Sequence, residues 1–399
     1  MKKVLMLGGS RYVIPVIKAA HELGYYVITC DYLPDNIGHQ YADEYHYVSI
    51  IDKEAVLELA RNLRVNGVMS FATDPGVVVA AYVAEQLGLP TSPYNSVSIL
   101  QDKFLFRSFL RDNGFNVPFF KEYTDVDEAC VDSELFTGPV IVKPVDSAGS
   151  KGVTKVEDRV DLRESIMNAL KYSHSGRFII EQFIKQSGYS SDSDCFSVEG
   201  ELVFTSFNSQ RFDADASNPY TPAAYSWPSS MPMEHQGELT CELQRLTKLL
   251  NMGTTIYNIE TRVGEDGKVY IMEVSPRGGG NRLAEMIRFS TGIDLIKNAV
   301  RAAVGEPISG IAPAVYKGCC AEYILHSNKE GVFEIVEIEP EFRKKFVVEC
   351  DVWVKKGEKV KAFTGANETI GTLVLKFDTQ EQTEEMLSNP DSWLKVIVH

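Results

Sequence analysis

Short apolar runs alternate with amphipathic segments over the first 95 residues of the chain. The apolar runs predict strands, and the segments with helical spacing predict helices. In chain order these are strand 4–7, helix 12–23, strand 26–30, helix 52–63, strand 67–71 and helix 76–87. Because helices separate the strands, we expect a parallel sheet that is covered by helices on both faces.

The pattern changes after residue 95. Val97, Leu100, Phe104 and Leu105 recur at helical spacing and predict a connecting helix over 96–115. The apolar runs that follow are short, are separated by turn residues and lack long helices between them. They predict a mixed α+β region.

Two later segments complete the outline. Residues 207–237 lack a clear period and are rich in Pro, Ser and Asn, which indicates either a long functional loop or a disordered one. Residues 311–399 consist mostly of predicted strands. We therefore predict an α/β domain over 1–95, an α+β domain over 96–310 and a small β-rich domain over 311–399.

The charge of the chain limits its partners. The formal net charge is −15, and such a surface repels nucleic acid and anionic membranes, so we expect neither as a partner. The same surface repels ATP. A nucleotide site would therefore need its own cluster of Lys and Arg side chains.

The cysteines and the N-terminus indicate the cellular compartment of the protein. The seven cysteines are scattered without a CxxC spacing, which argues against a zinc site or a disulfide framework and favours the reducing cytoplasm. The first seven residues imitate a signal peptide, but Gly8, Gly9 and Arg11 interrupt the apolar run, so we expect no signal. No apolar run reaches the ~18 residues of a membrane span.

The first candidate motif is the glycine pair Gly8-Gly9 after the first predicted strand. A dinucleotide-binding turn requires three glycines, and here Arg11, Tyr12 and Val13 follow instead. NAD binding is therefore disfavoured. Two interpretations stay open: a tight strand-to-helix turn, or a turn that holds part of a small substrate.

The second candidate motif joins two lysines to a glycine loop. Lys143 ends the apolar run 140–142 and precedes the loop 146–153. Backbone N–H groups of such a loop can bind phosphate oxygens, and the loop can close as a lid. Lys103 lies upstream among apolar neighbours, at the predicted rim of a core. A plain hairpin with surface lysines would give the same pattern, so the loop alone does not decide.

The third candidate motif is a predicted hairpin with a glutamate in each strand, Glu260 and Glu273, joined by a turn that contains Asp-Gly. If Val263 faces Lys268, Glu260 faces Ile271, and the two glutamates are diagonal neighbours on one face, roughly 7–8 Å apart. Carboxylates at that separation can bind Mg²⁺ together with phosphate oxygens. The alternative is a pair of acids on a solvated face, but the apolar neighbours of Glu273 argue against it.

Taken together, these segments resemble the ATP-grasp superfamily of the carboxylate–amine ligase type, which includes proteins similar to amino-acid ligases, biotin carboxylase and the carbamoyl phosphate synthetase large subunit. The matching segments are, in order, Asp102-Lys103 with Phe106-Arg107, Val142-Lys143-Pro144, the loop 146–153, Ile180–Ile184, Glu260, and Glu273–Arg277. The resemblance covers nearly the whole chain. It implies an ATP-grasp fold with an N-terminal parallel α/β domain and a small β-rich C-terminal domain.

The resemblance also implies roles for the matching residues. The nucleotide site would consist of Lys103, Lys143, Ser147, Gly149, Ser150, Gly152, Glu181, Gln182, Phe183, Ile184 and Asp192. Lys143 and Arg277 would be the catalytic residues. Glu260, Glu273 and Ser275 would bind Mg²⁺, with Mn²⁺ as a substitute.

Two positions depart from the family pattern. Relatives commonly carry Asn where this chain has Ser275, so ligation by its smaller side chain is in question. Relatives also often place one acid after the hinge to hold the ribose. Here Asp192 and Asp194 both follow the hinge, and the sequence does not choose between them.

The implied reaction uses ATP and Mg²⁺ to convert a carboxylate into an acyl phosphate, which an amine attacks to form an amide. One alternative is a carboxylase or ligase of the purine-biosynthesis type that uses bicarbonate. Another is a nucleotide-binding protein without turnover. The retained pair of Glu260 and Glu273 argues against the second alternative, and an oxidoreductase linked to NAD is weaker still.

The sequence leaves the identities of the substrates open. We expect a small carboxylate and a small amine to bind between the N-terminal domain and the 207–237 segment. The candidate substrate residues are Gly9, Thr73, Asp74, Arg211, Arg277, Gly279 and Arg282. For the 207–237 segment an alternative stays open, in which its aromatic side chains pack on the neighbouring domain and Arg211 makes a surface ion pair. Homodimer formation is left open.

Overall fold

The computed structural model describes residues 1–147 and 149–399. Ala148, in the predicted glycine loop, lies outside the described residues. In the described residues, the helices are all too short or too polar to cross a bilayer.

The elements are numbered in chain order. The strands are β1 (Lys3–Leu7), β2 (Tyr26–Asp31), β3 (Glu44–Tyr47), β4 (Gly67–Ser70), β5 (Phe120–Tyr123), β6 (Val140–Pro144), β7 (Thr154–Val156), β8 (Phe178–Gln182), β9 (Ser191–Val198), β10 (Glu201–Phe204), β11 (Ser209–Phe212), β12 (Pro222–Trp227), β13 (Thr255–Val263), β14 (Val269–Ser275), β15 (Cys319–Leu325), β16 (Gly331–Ile338), β17 (Val347–Val352), β18 (Lys359–Val360), β19 (Gly371–Phe377) and β20 (Leu394–Val398). The helices are α1 (Ile14–Glu22), α2 (Lys53–Leu63), α3 (Asp74–Gln86), α4 (Tyr94–Gln101), α5 (Lys103–Asp112), α6 (Val126–Val131), α7 (Leu162–Leu170), α8 (Met233–Leu249), α9 (Leu283–Thr291), α10 (Leu295–Ala303), α11 (Pro340–Phe346) and α12 (Gln380–Ser388).

The N-terminal region contains the expected parallel sheet, in the order β3-β2-β1-β4. Residues 4–7 of β1 are fully buried, because helices cover both faces of the sheet. The sequence pattern missed β3. This strand reads Glu-Tyr-His-Tyr at the sheet edge, and it lacks the apolar run that marked the central strands.

The predicted single helix over 96–115 is two helices, α4 and α5, separated at Asp102. The Asp102 carboxylate accepts hydrogen bonds from the N–H groups of Phe104 and Leu105, both at 2.9 Å. This N-cap starts a new helix and ends the previous one. Lys103 consequently becomes the first residue of α5 rather than an interior residue of one long helix.

Two antiparallel sheets form the central region. One has the order β5-β8-β6-β7 and packs against α6 and α7, and the other has the order β10-β9-β13-β14 and packs against α8. The chain passes from the first sheet to the second directly after β8.

The prediction of an irregular segment over 207–237 is wrong. Strands β11 and β12 lie inside it and belong to a five-stranded sheet in the order β11-β12-β15-β19-β17. Prolines and serines obscure these strands in the sequence, whereas main-chain pairing with β15 stabilises them, for example between Ala224 and Tyr323. This sheet joins the central region to the C-terminal strands.

Candidate functional site

A large cleft runs between the two central sheets and reaches the N-terminal and C-terminal regions. Twelve of the predicted site residues line it, one from the N-terminal part of the chain and eleven from the central part: Asp74, Lys103, Lys143, Ser147, Gly149, Ser150, Glu181, Phe183, Asp192, Glu260, Glu273 and Arg277. The structure therefore brings most of the predicted nucleotide, metal and catalytic residues to one place.

One wall of the cleft carries the cations. Lys143 Nζ lies 2.7 Å from Glu181, and Arg107 Nε lies 2.8 Å from the other oxygen of the same carboxylate. Lys103 Nζ donates a hydrogen bond to the Ser147 carbonyl at 2.7 Å. It also lies 3.9 Å from Glu273, so it stands between the glycine loop and the opposite wall.

The buried triad of Arg107, Glu181 and Lys143 holds fixed charges. Burial alone would raise the pKa of Glu181, but the two cations outweigh it and hold that pKa at about 2. Burial lowers the pKa of Lys143, and the Glu181 carboxylate opposes this shift. Glu181 thus holds Lys143 at the cleft. A phosphate group can replace this acid as the partner of the lysine.

The opposite wall carries a row of carboxylates on three adjacent strands. Glu260 on β13 lies directly across from Glu273 on β14 and from Asp192 on β9. Burial raises the pKa of Asp192 to about 7, and the neighbouring Glu260 adds to the shift. Burial also raises the pKa of Glu260, against the influence of Arg262. Three acids side by side favour a bound cation.

The predicted register of the β13–β14 hairpin is wrong. Val263 pairs with Val269 rather than Lys268, and an irregularity after Glu260 inserts Met272 as an extra residue. Each change shifts the pairing by one residue, so together they preserve the common face of the two glutamates. They also replace the expected diagonal relation with direct pairing of Glu260 and Glu273.

A second polar row lies next to the first, with Asn258 between Asp194 and Ser275. Asn258 donates to Asp192 at 2.7 Å, and the Gly279 N–H donates to Asp194 at 2.9 Å. Burial raises the pKa of Asp194 to about 7, although the Gly279 N–H opposes the shift. The sequence interpretation missed Asn258, but its position two residues before Glu260 on one strand was an available signal.

Arg277 is held by the N-terminal region. Its guanidinium donates to both oxygens of Asp74 at 2.7 Å. Burial alone would raise the pKa of Asp74, but Arg277 outweighs it and lowers that pKa. The hydroxyl of Ser275 donates to Asp74 at 2.9 Å and accepts from Gln101 at 3.0 Å. Ser275 is thus oriented toward Asp74, and its metal ligation stays a prediction.

The donor set fits a magnesium ion that also binds phosphate oxygens. Within residues 1–147 and 149–399, no group of three or more His, Cys, Asp or Glu side chains is already arranged around a metal position. Two paired carboxylates, Glu260 and Glu273, face Lys103 and Lys143 across the cleft. Mg²⁺ is typically held by one or two carboxylates while phosphates and water complete its shell.

Arg211 does not face the cleft. Because side chains alternate along β11, Gln210 and Phe212 line the cleft, whereas Arg211 points to the other face. There it donates to Ser226 at 2.7 Å and to Glu384 of α12 at 2.6 Å. This placement contradicts the expectation that Arg211 faces the carboxylate substrate.

Arg282 is also engaged elsewhere. Its guanidinium contacts Glu349 at 2.7 Å and Thr372 at 3.2 Å, which attaches α9 to the C-terminal sheet. Five further predicted residues are not among those that line the cleft. Gly9 packs against the ring of His39, Thr73 packs against Gly8, Gly152 packs against Tyr172, Gln182 donates to Thr137, and the Ile184 carbonyl accepts from Arg262.

Comparisons with known proteins show what the chain is similar to. Residues 136–285 match the family model described as the ATP-grasp domain. The chain is 25% identical over 330 residues to the carbamoyl phosphate synthase large chain of Pseudothermotoga lettingae, a match that covers 82% of this chain and 28% of that protein. The chain thus spans less than a third of the length of this curated relative.

Two solved structures share the fold along the whole chain. The L-amino acid ligase from Bacillus licheniformis has a TM-score of 0.81 at 22% identity and is covered over 99% of its length. The N5-carboxyaminoimidazole ribonucleotide synthetase from Thermotoga maritima has a TM-score of 0.77 at 17% identity and is covered over 100%. Both matches cover 100% of this chain. The chain therefore adopts the ATP-grasp fold and carries an ATP-grasp domain at its centre.

Proposed function

We propose that this protein is an ATP- and Mg²⁺-dependent ligase that activates a carboxylate as an acyl phosphate for attack by an amine. The observation that carries the proposal is the direct pairing of Glu260 with Glu273 across the cleft from Lys103 and Lys143. Arg277 lies at the far end of this charged passage. Phosphate groups, a cation and a second anion would each find groups of opposite charge within one cleft.

The nucleotide would bind with its phosphates between the two walls. Lys143 would exchange its contact with Glu181 for a phosphate oxygen, and Arg107 would remain to neutralise the acid. Lys103 and the loop 146–153 would cover the phosphates from above. Phe183, directly after β8, would contact the base where the chain crosses between the sheets.

Glu260 and Glu273 would hold Mg²⁺, with Asp192 as their neighbour in the row. The bound ion would neutralise charge on the phosphate oxygens as a substrate carboxylate approaches. This neutralisation is needed because the attacking and receiving groups are both negative.

Arg277 would bind the carboxylate or the transferred phosphoryl group, with Asp74 fixing its orientation. A carboxylate oxygen would attack the γ-phosphorus as the bond to ADP breaks. The amine nitrogen would then attack the acyl carbon, and inorganic phosphate would leave with the electron pair of the C–O bond. Closure of the glycine loop would protect the acyl phosphate from water.

A bicarbonate-using reaction is the second candidate. The likeness to N5-carboxyaminoimidazole ribonucleotide synthetase and to carbamoyl phosphate synthase favours it. In this reaction the first acceptor of the phosphoryl group would be bicarbonate rather than an organic carboxylate. The same metal and phosphate groups would serve both reactions, so the structure of the cleft does not separate them.

The test is ADP release with Mg·ATP against a panel of carboxylates crossed with amines, in buffer freed of bicarbonate and then supplemented with it. We expect release that requires both a carboxylate and an amine and that is independent of bicarbonate. Release that requires bicarbonate would favour the second candidate. Nucleotide binding without release under any combination would support the non-catalytic alternative.

A further inference from the structure

A buried carboxyl group lies outside the proposed metal row, which consists of Asp192, Glu260 and Glu273, and it has no hydrogen-bond partner among the described residues. Glu322 lies in the middle of β15 and is 0% exposed. Among residues 1–147 and 149–399, neither of its side-chain oxygens has a hydrogen-bond partner. Such a group normally costs substantial free energy, so Glu322 calls for a compensating contact that the described side chains do not supply.

The surroundings of Glu322 are negatively charged. Arg282 is the closest influence of opposite sign, but its guanidinium is engaged by Glu349 and Thr372. Glu285 also contacts Arg282, at 3.4 Å. The acids Glu322, Glu285 and Glu349 all act on Arg282. Arg288 acts on Glu285 as a second cation, so acids outnumber cations at this corner.

The corner adjoins the candidate cleft. Glu322 is paired directly with Tyr225 of β12 and shares a face with Ile324, and both neighbours line the cleft. Tyr12 and Thr369 line the same end. Glu322 thus belongs to the sheet face that carries these lining residues, although its own side chain is fully buried and is not among those that line the cleft.

Hydrogen bonds connect this end to the metal row. Tyr12 donates to Asn281 at 3.1 Å, and Asn281 donates to the Tyr225 hydroxyl at 3.2 Å. Tyr225 in turn donates to Asp192 at 3.2 Å. A substrate whose reacting end lies at the row could therefore extend along this polar path toward Glu322.

The missing partner has a definite chemistry. A metal ion would need several ligands, and the described residues offer no further group of three potential ligands here. A single buried carboxylate whose charge acts on the cleft-lining Tyr12 and Tyr225 instead suits an ammonium group, which donates in several directions at once.

We propose that Glu322 binds a positively charged amino group of a substrate, at the end of the cleft formed with Tyr12, Tyr225 and Thr369. This inference rests on the proposed function, because it assigns Glu322 to one end of a substrate whose other end reacts at the metal row. A carboxylate partner favours the charged form of an amino group, and an ammonium group has no lone pair for attack. The group held at Glu322 is therefore a recognition group, and the attacking amine approaches elsewhere.

The experiment compares compounds that differ by one amino group. The pairs are L-lysine with L-norleucine, L-leucine with isocaproate and L-phenylalanine with hydrocinnamate. Binding is measured by calorimetry and by thermal shift in the presence of Mg·ADP, so that no turnover is needed. For at least one pair we expect the amino-bearing member to bind the wild-type protein about tenfold or more tightly than its partner.

Three variants locate the effect. Glu322→Gln should abolish the preference, and Glu322→Asp should keep part of it. Glu265→Gln is the control, because it removes an exposed acid that pairs with Lys185 outside this corner and should leave the preference intact. Circular dichroism confirms that each variant is folded.

Two outcomes would overturn the proposal: no preference in the wild-type protein for any pair, or an unchanged preference in Glu322→Gln. Because these are binding measurements, they are separate from the ADP-release test. A failure of carboxylate- and amine-dependent turnover would reject the proposed function without deciding the role of Glu322.

Discussion

The two ends of the cleft can be compared through one glutamate at each. Near the hinge, the buried Glu181 contacts both Lys143 and Arg107, and its charge is balanced before any ligand binds. At the opposite end, the equally buried Glu322 has no hydrogen-bond partner among the described residues. The first arrangement suits an anion, which can replace an acid as the partner of a lysine. The second suits a cation, which supplies what the protein lacks.

The largest expected effect comes from removing Glu181, the acid that balances Lys143 and Arg107. Glu181→Leu would leave Lys143 and Arg107 buried together without an acid, so the free energy of unfolding should fall by about 3–5 kcal/mol. Urea denaturation measures this change. As a control, Glu265→Gln disrupts an exposed pair with Lys185 and should change stability by less than about 0.5 kcal/mol. Equal effects of the two substitutions would contradict the structural difference between these pairs.

The metal row between the two ends should respond in turnover rather than in stability. Glu273→Gln keeps the shape of the side chain but removes one charge from the paired acids. We expect a loss of ADP release of about 100-fold or more, the scale observed when a preorganised electrostatic group is removed. Glu265→Gln, in the turn of the same hairpin, should retain normal turnover. Near-normal turnover of Glu273→Gln would exclude Glu273 from the site.

The unpaired Glu322 should make the free energy of unfolding depend on pH. Burial raises the pKa of Glu322 well above its ordinary value of 4.5, with Arg282 opposing and Glu285 and Glu349 adding to the shift. Tyr12 and Tyr225 also face this group, but they stay neutral in the relevant range because burial raises their pKa values.

A raised pKa means that the folded state holds the proton more tightly than the unfolded state. The stabilisation by the bound proton is complete when the pH lies below the pKa of the unfolded state. It is lost as the pH rises through the pKa of the folded state. Between about pH 5 and pH 8, the wild-type protein should therefore lose about 1–3 kcal/mol more stability than Glu322→Gln. Chemical denaturation at several pH values measures the difference. Parallel curves for the two proteins would mean that Glu322 is not held in the buried, unpaired state.

The smallest effect concerns Arg211, which lies outside this comparison. Arg211→Ala should leave ADP release and the Michaelis constants unchanged, because the side chain points away from the cleft. Loss of its contacts with Ser226 and the half-exposed Glu384 should cost about 1 kcal/mol of stability. A raised Michaelis constant for the carboxylate would instead return Arg211 to the substrate site.

The sequence predicted residues of this site best where a motif was local. Glu260 and Glu273 share one hairpin, and alternation along strands placed them on one face even though the assumed register was wrong. The inserted Met272 could not be foreseen, because a bulge depends on the contacts of the strand with its neighbours. The pair formed by Asp74 and Arg277 was likewise out of reach, since it joins residues that are distant in the chain.

Glu322 illustrates a signal that was present but not used. An acid between Ala321 and Tyr323 in an otherwise apolar run is the same pattern that drew attention to Glu273 between Met272 and Val274. The strands of the 207–237 segment, in contrast, could not be predicted from a local pattern. Their strands depend on pairing with β15, and no local pattern reports a partner nearly a hundred residues away.

The five-stranded sheet also constrains how the chain can be made. β11 and β12 leave the ribosome well before β15, the strand that completes their pairing. Until β15 emerges, the free edge of β12 and the apolar side chains of Tyr225 and Trp227 lack their cover. The five-stranded sheet can therefore close only after the C-terminal strands emerge, and nascent or truncated chains that end near residue 310 would expose this strand edge to chaperones.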